Sequence, residues 1–101
     1  MKKTYTFQAQ VWLHPGESGA WHFLSVPEDI TKEINFYFSE AKHGWGSLPV
    51  KATIGKTNWK TSIFPDKKTG TYLLPLKSEV RKKENILEGS TVSLRLELGS
   101  D

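Results

Sequence analysis

The chain has no cysteine among its 101 residues, which excludes disulfides, a thiolate nucleophile and thiolate metal ligands and suits a reducing compartment. No apolar run is long enough to span a bilayer. Met1, Lys2 and Lys3 are followed by alternating rather than continuous apolar residues, so the start lacks the apolar stretch of a signal peptide. The expectation is a cytoplasmic protein with no membrane partner. Catalytic motifs are equally scarce. Gly55, Lys56 and Thr57 resemble the end of a phosphate-binding loop, but Val50 stands where that motif needs glycine, and a strand-forming run follows instead of a helix. Ser47, between Gly46 and Leu48, lacks the glycine frame of a nucleophile elbow. His14, His22 and His43 have no HExxH or carboxylate spacing beside them. These absences point to a non-catalytic protein without a cofactor or metal, and the length fits one domain, 1–101, around one core.

Charge is unevenly spread. The formal net charge is +3, yet residues 51–83 hold nine Lys or Arg against Asp66 and Glu79, a local excess of seven that leaves the remainder at −4. Such a segment can form a positive surface that attracts phosphates or acidic partners. Solvation of outer strand and helix faces accounts for the same pattern without any partner.

The stretch from Gly44 to Pro65 reads as a β-hairpin with an aromatic entrance. Alternation places Val50, Ala52 and Ile54 on one face of its first arm and Trp59, Thr61 and Ile63 on one face of its second, so a single register gives one apolar side. Lys51, Thr53, Lys60 and Ser62 then face outward. Upstream, Tyr5 to His14 alternates as one half-buried strand, and Ala20 to Val26 returns after a Pro- and Gly-marked connection. Symmetric closure around that connection sets Trp12 opposite His22 and puts Trp21 and Phe23 on the apolar side with Val11 and Leu13. Trp12, His14 and His22 then share the other side. Pro27, Glu28 and Asp29 open a helix whose apolar positions include Ile30 and Ile34, although Ile34, Phe36 and Phe38 also alternate as an extended piece would. Thr71 to Lys77 is a strand with Tyr72, Leu74 and Leu76 on one face, and Pro75 implies that it lies at an edge or ends in a bulge. Ser78 caps a two-turn helix that Asn85 closes in the left-handed conformation. Thr91 to Leu98 is the last strand, with Val92, Leu94, Leu96 and Leu98 facing in.

The run Gly44, Trp45, Gly46, Ser47, Pro49, Val50, Ala52, Thr53, Ile54, Gly55, Trp59, Phe64 and Pro65, followed by Tyr72, Leu74, Pro75, Val80, Arg81, Gly89 and Val92, resembles the DUF1905 family of small bacterial and archaeal proteins. Ala20, Trp21, Phe23 and Pro27 extend the resemblance towards the start. Asn85 departs from the glycine expected before Ile86, and Ser90 from the aspartate expected after Gly89. The resemblance implies a mainly β fold, a small double-split (AbrB-like) β-barrel of about six strands with two short helices, in a family without an established activity. In AbrB-like proteins two chains each supply half a barrel and basic loops meet DNA; this chain is long enough to form a whole barrel, as a monomer or weak homodimer.

Two kinds of binding follow. In the first, Trp45, held between glycines, lines a pocket mouth with His43, Trp12 and Ser47 and takes a small molecule or a protein partner; the structural alternative for Trp45 is a plug closing the barrel. Trp21 and Trp59 fall on apolar faces and read as core. In the second, Lys51, Lys60, Lys77, Arg81, Lys82 and Lys83 contact the phosphates of a nucleic acid while Trp45 stacks on a base. Clustering of those six cations on one face favours nucleic acid, and an apolar cavity beside Trp45 favours a ligand.

Overall fold

β-Branched and aromatic residues alternating with polar ones fit a pleated, half-buried surface, and seven such segments form one curled sheet. The computed structural model describes residues 1–16, 19–42, 44 and 46–100, with Pro15, Gly16, Gly19 and Ala20 described by backbone alone. The strands are β1 (Lys2–Gln10), β2 (Trp12–Gly16), β3 (Gly19–Ser25), β4 (Leu48–Ile54), β5 (Thr57–Asp66), β6 (Thr71–Pro75) and β7 (Thr91–Gly99). They lie in the order β1-β7-β4-β5-β6-β3-β2. Two helices, α1 (Glu28–Phe38) and α2 (Ser78–Lys83), interrupt them. The fold is mainly β and barrel-like, as the sequence implies.

Seven strands replace the expected six because the stretch from Tyr5 to His14 is two strands. β1 pairs with β7 and β2 with β3. Between them Val11 leaves both ladders: its N–H donates to the Ser90 carbonyl at 2.8 Å and its carbonyl accepts from Gly89 N–H at 2.9 Å. Since β1 and β2 are the two ends of the strand order, one bent segment borders both margins of the sheet and draws it into a shell.

The core fills that shell. Leu48, Val50, Ala52 and Ile54 point inward from β4, Trp59 and Ile63 from β5, and Val92, Leu94, Leu96 and Leu98 from β7. Ala52 lies opposite Trp59 in one ladder and Leu96 in the other, so the central hairpin has the single apolar side its alternation predicts. Each such side chain contributes about 1.5–3 kcal/mol on full burial.

The helices close opposite ends. α1 buries Thr31, Ile34 and Phe38; Tyr72 O–H donates to Asn35 Oδ1 at 2.5 Å, tying it to β6, and Tyr5 O–H donates to Glu33 at 3.4 Å, tying it to β1. Burial, with the Glu33 charge adding, pushes the Tyr5 phenol up to about 12, so it stays a donor. At the other end, Glu84 accepts from Thr57 Oγ1 at 2.5 Å and Arg81 Nε donates to the Leu76 carbonyl at 3.2 Å. These contacts hold α2 over the β4–β5 turn.

Two local expectations change. Ser78 is the first helical residue, and Lys77 occupies the cap position without a side-chain hydrogen bond. β6 is not an edge strand: it lies between β5 and β3, and Pro75 is its last residue. Leu76 N–H reaches the His22 carbonyl, which makes the intervening Phe23–Pro75 pair a non-hydrogen-bonded one. The missing N–H of Pro75 therefore costs β3 no bond. On its other side the β5 ladder has already ended at Leu73.

α2 ends as the sequence predicts, on Asn85 with φ 54°. Ile86 N–H donates to Arg81 O at 2.8 Å and Asn85 N–H to Lys82 O at 3.4 Å, while Val80 and Ile86 are both buried. This is the Schellman arrangement. Replacing Asn85 with glycine should raise stability by up to about 1 kcal/mol in urea unfolding, and Asn85→Val should lower it by about 1–2 kcal/mol. A valine variant as stable as the parent contradicts the left-handed closure.

Candidate ligand-binding site

The first hairpin closes in a different register from the expected one. Gly16 pairs with Gly19, Trp12 with Phe23, Leu13 with His22 and His14 with Trp21. A one-residue slip sends every side chain to the opposite face. Trp12, His14, Trp21 and Phe23 consequently share the outer side, while His22 and Leu24 turn inward, and His14 and His22 lie on opposite faces. Trp21, expected in the core, is 57% exposed; Trp59 is core, at 9%.

The neighbouring strands extend this outer face. Phe23 lies opposite Pro75 and Ser25 opposite Leu73, and Leu73 lies opposite Phe64, which is 44% exposed. The result is an aromatic surface on the outside of β2, β3, β6 and the end of β5. Trp21 and Phe23 are stacked, with ring centroids 6.5 Å apart and planes at 10°. Trp12 tilts onto Phe23 at 5.1 Å and donates Nε1–H to Ser25 Oγ at 3.0 Å, which fixes its ring.

Two adjoining clefts open there. One, of about 490 Å³, lies between Trp12, Phe23, Leu73 and the Asp66–Thr69 turn. The other, of about 370 Å³, lies between Trp21, Phe23, Phe64, Leu73 and Pro75. His14, Phe23 and Leu73 line both. Asp66 is engaged within its turn, accepting from Lys68 N–H and from Thr69 Oγ1.

A third cleft, of about 270 Å³, follows from the way β5 changes partners. β5 pairs with β4 through Ile63 and with β6 only from Phe64 to Asp66. From Trp59 to Thr61 its margin instead faces Pro75, Leu76 and Lys77 across a split, with Lys60 and Lys77 on its rims. Trp21 and Pro75 line this split as well as the aromatic cleft, so the two are continuous.

The other sequence-predicted residues are dispersed. His43 and Trp45 lie outside the described residues. Lys42, which precedes His43 in the chain, opens on a recess of about 230 Å³ beside Asn35 and Tyr72. Ser47, at the entrance to β4, lines none of these clefts. Lys51 stands opposite Lys60 in β5 and opposite Glu97 in β7. The Lys2 ammonium, 3.1 Å away, holds the Glu97 carboxyl below its usual range, with Lys51 and Arg95 adding to the effect. Arg81 is half-buried, and Lys82 and Lys83 are exposed at the end of α2. Of the six predicted cations, the two that share a cleft with an aromatic ring are Lys60 and Lys77, and neither makes an ion pair among the described residues.

Sequence reasoning placed Trp12 in the candidate site but missed Trp21, Phe23, Phe64 and Leu73. The available signal was Leu24 and Val26, which alternate with His22 and compete with Trp21 and Phe23 for the inward face.

Seven strands curled into a shell with helical ends and an aromatic outer cleft define a small, mainly β barrel-like domain. The chain belongs to the DUF1905 family, a domain of unknown function whose model matches residues 7–96. No curated protein matches the chain. Among the described residues, no helix is long and apolar enough to cross a membrane.

His22 lies beneath the site, and its Nδ1 is buried without a hydrogen-bond partner among the described residues. Burial chiefly lowers its pKa, Arg81 lowers it further, and Glu88 opposes them. A base whose folded pKa lies below its unfolded value of about 6.5 leaves the native state holding fewer protons, so stability is full above that pH and declines below it. Melting temperature should fall between pH 7 and 5, and His22→Leu should remove that part of the fall. An identical pH dependence in both proteins counts against the assignment.

Proposed function

We propose that this chain is a non-catalytic binding domain that takes a small molecule carrying a flat apolar group in the cleft lined by Trp21, Phe23, Phe64 and Leu73. The supporting observation is the exposure of stacked aromatic rings on the outside of a sheet, a position where polar side chains ordinarily meet water. Contiguous exposed apolar surface of this kind marks interaction sites. The clefts fall within the usual 300–1,000 Å³ of small-molecule sites. His14 lines this cleft, and Ser25 and Thr69 line the adjoining one, so together they supply the polar groups that orient the ligand.

Nucleic-acid binding by the basic segment is the second reading. It is supported by Lys60 and Lys77 at the split and by exposed Lys82 and Lys83. Glu97 opposite Lys51 and the tie between Arg81 and the Leu76 carbonyl weaken the six-cation version of it.

Nile red, a neutral planar dye, tests the cleft. Its fluorescence should rise on binding, and Trp21→Ala should weaken binding by about 10-fold or more, the worth of one aromatic contact surface. Because Trp21 is largely exposed, the variant should melt within a few degrees of the parent. Absence of dye binding, or equal binding by the variant, rejects the cleft as the site.

A further inference from the structure

We propose that the ligand of this cleft is anionic, a planar ring joined to a phosphate in the manner of a nucleotide, with the ring against Trp21 and the phosphate between Lys60 and Lys77. The inference rests on the cleft reading above and adds the charge and layout of the ligand. Three observations carry it. The aromatic cleft and the split share Trp21 and Pro75, so one molecule can occupy both. The rims of the split bear two cations from different elements, Lys60 of β5 and Lys77 ahead of α2, and no acidic residue is among its lining. Neither cation makes an ion pair among the described residues, whereas the nearby Lys51 faces Glu97.

Layout follows from strand geometry. Lys60 and Phe64 are both exposed and lie on the same face of β5, four residues apart, which is about 13 Å along a strand. Lys77 stands two residues beyond Pro75. Flexible lysine stems reach back over part of that distance, and Trp21 lines the same split as both cations, so ring and phosphate contacts are offered side by side. Exposed aromatic rings are tolerant stacking platforms for any base, and lysines meet phosphate as point charges. Carboxylates on this surface would repel such a ligand; Glu97, which shares a separate groove with Lys60, is paired with Lys2, and Asp66, on the aromatic cleft, is held by its own turn.

A free nucleotide and a single-stranded nucleic acid present the same ring and phosphate. Titrations with adenosine, adenosine 5′-monophosphate and an eight-nucleotide oligo(dA) separate these cases. Binding is followed by the Trp21 indole and Lys77 amide signals in NMR, with affinities from calorimetry at low salt. The monophosphate should bind about 10-fold tighter than adenosine, as expected for two exposed charge contacts. That advantage should vanish in the Lys60→Gln, Lys77→Gln double variant and in 0.5 M salt, with adenosine binding unchanged. An oligonucleotide that binds tighter than eight independent monophosphates, with a steep salt dependence, identifies a single strand as the source; additive binding identifies the free nucleotide. Equal affinity for adenosine and its monophosphate, an advantage that survives in the double variant, or no shift at Trp21 with any of the three overturns the proposal. Nile red binding in the same sample then tells whether the cleft reading stands without it.

Discussion

The bend at Val11 is the constraint on which the rest of the molecule depends. A single extended segment serves as β1 along one margin of the sheet and as β2 along the other, and only a curled sheet can satisfy both. The peptide at the bend would otherwise leave a donor and an acceptor without ladder partners. It is held instead by Gly89 and Ser90, in the turn that follows α2. The far end of the chain therefore fixes where the near end changes sheet partners, and β2 in turn sets the register of β3 and which of its side chains reach the solvent.

The same economy of partners produces the cleft. β5 is shared between β4 and β6 along different parts of its length, and where it turns from one to the other the strands diverge. Trp59 and Leu76 close the bottom of the gap, and lysines stand at its rims. A charged rim also suits an unpaired strand margin, because lysines there discourage edge-to-edge pairing with a second chain. Position, more than chemical type, separates these lysines from the others. Lys51 sits beside an acid and Arg81 is anchored to a carbonyl, while Lys60 and Lys77 flank an aromatic wall. Fixation of α2 through Glu84 and Thr57 places Lys77 relative to Lys60, so the helix helps to build the site without lining it.

Much of the architecture was legible in the residues. Strict alternation in β4 and β7 predicted their inward faces because one side of each strand is apolar and the other polar. The Pro27 to Asp29 start predicted α1, since such residues suit a helix N-terminus and no strand. Asn85 predicted the end of α2, because few side chains tolerate positive φ. The first hairpin was different. Between Trp21 and Val26 both alternating sets contain large apolar residues, so burial could be argued for either face, and one residue of register decided which set met water. Likewise, nothing local marked Val11 as a bend: it continues the alternation of Tyr5, Phe7 and Ala9, and leaves the ladder because of partners some eighty residues away.

What the sequence determined by itself was the class of fold, the single core and the members of its central hairpin, because period-2 patterning and turn chemistry are local properties that survive in any register consistent with burial. The site was decided by tertiary structure alone. Trp21, Phe64, Lys60 and Lys77 come from two strands and a helix entrance with no shared motif. They meet only because a curled sheet must split where β5 changes partners, and because Gly16 pairs with Gly19 and turns the Trp21 ring outward to face that split.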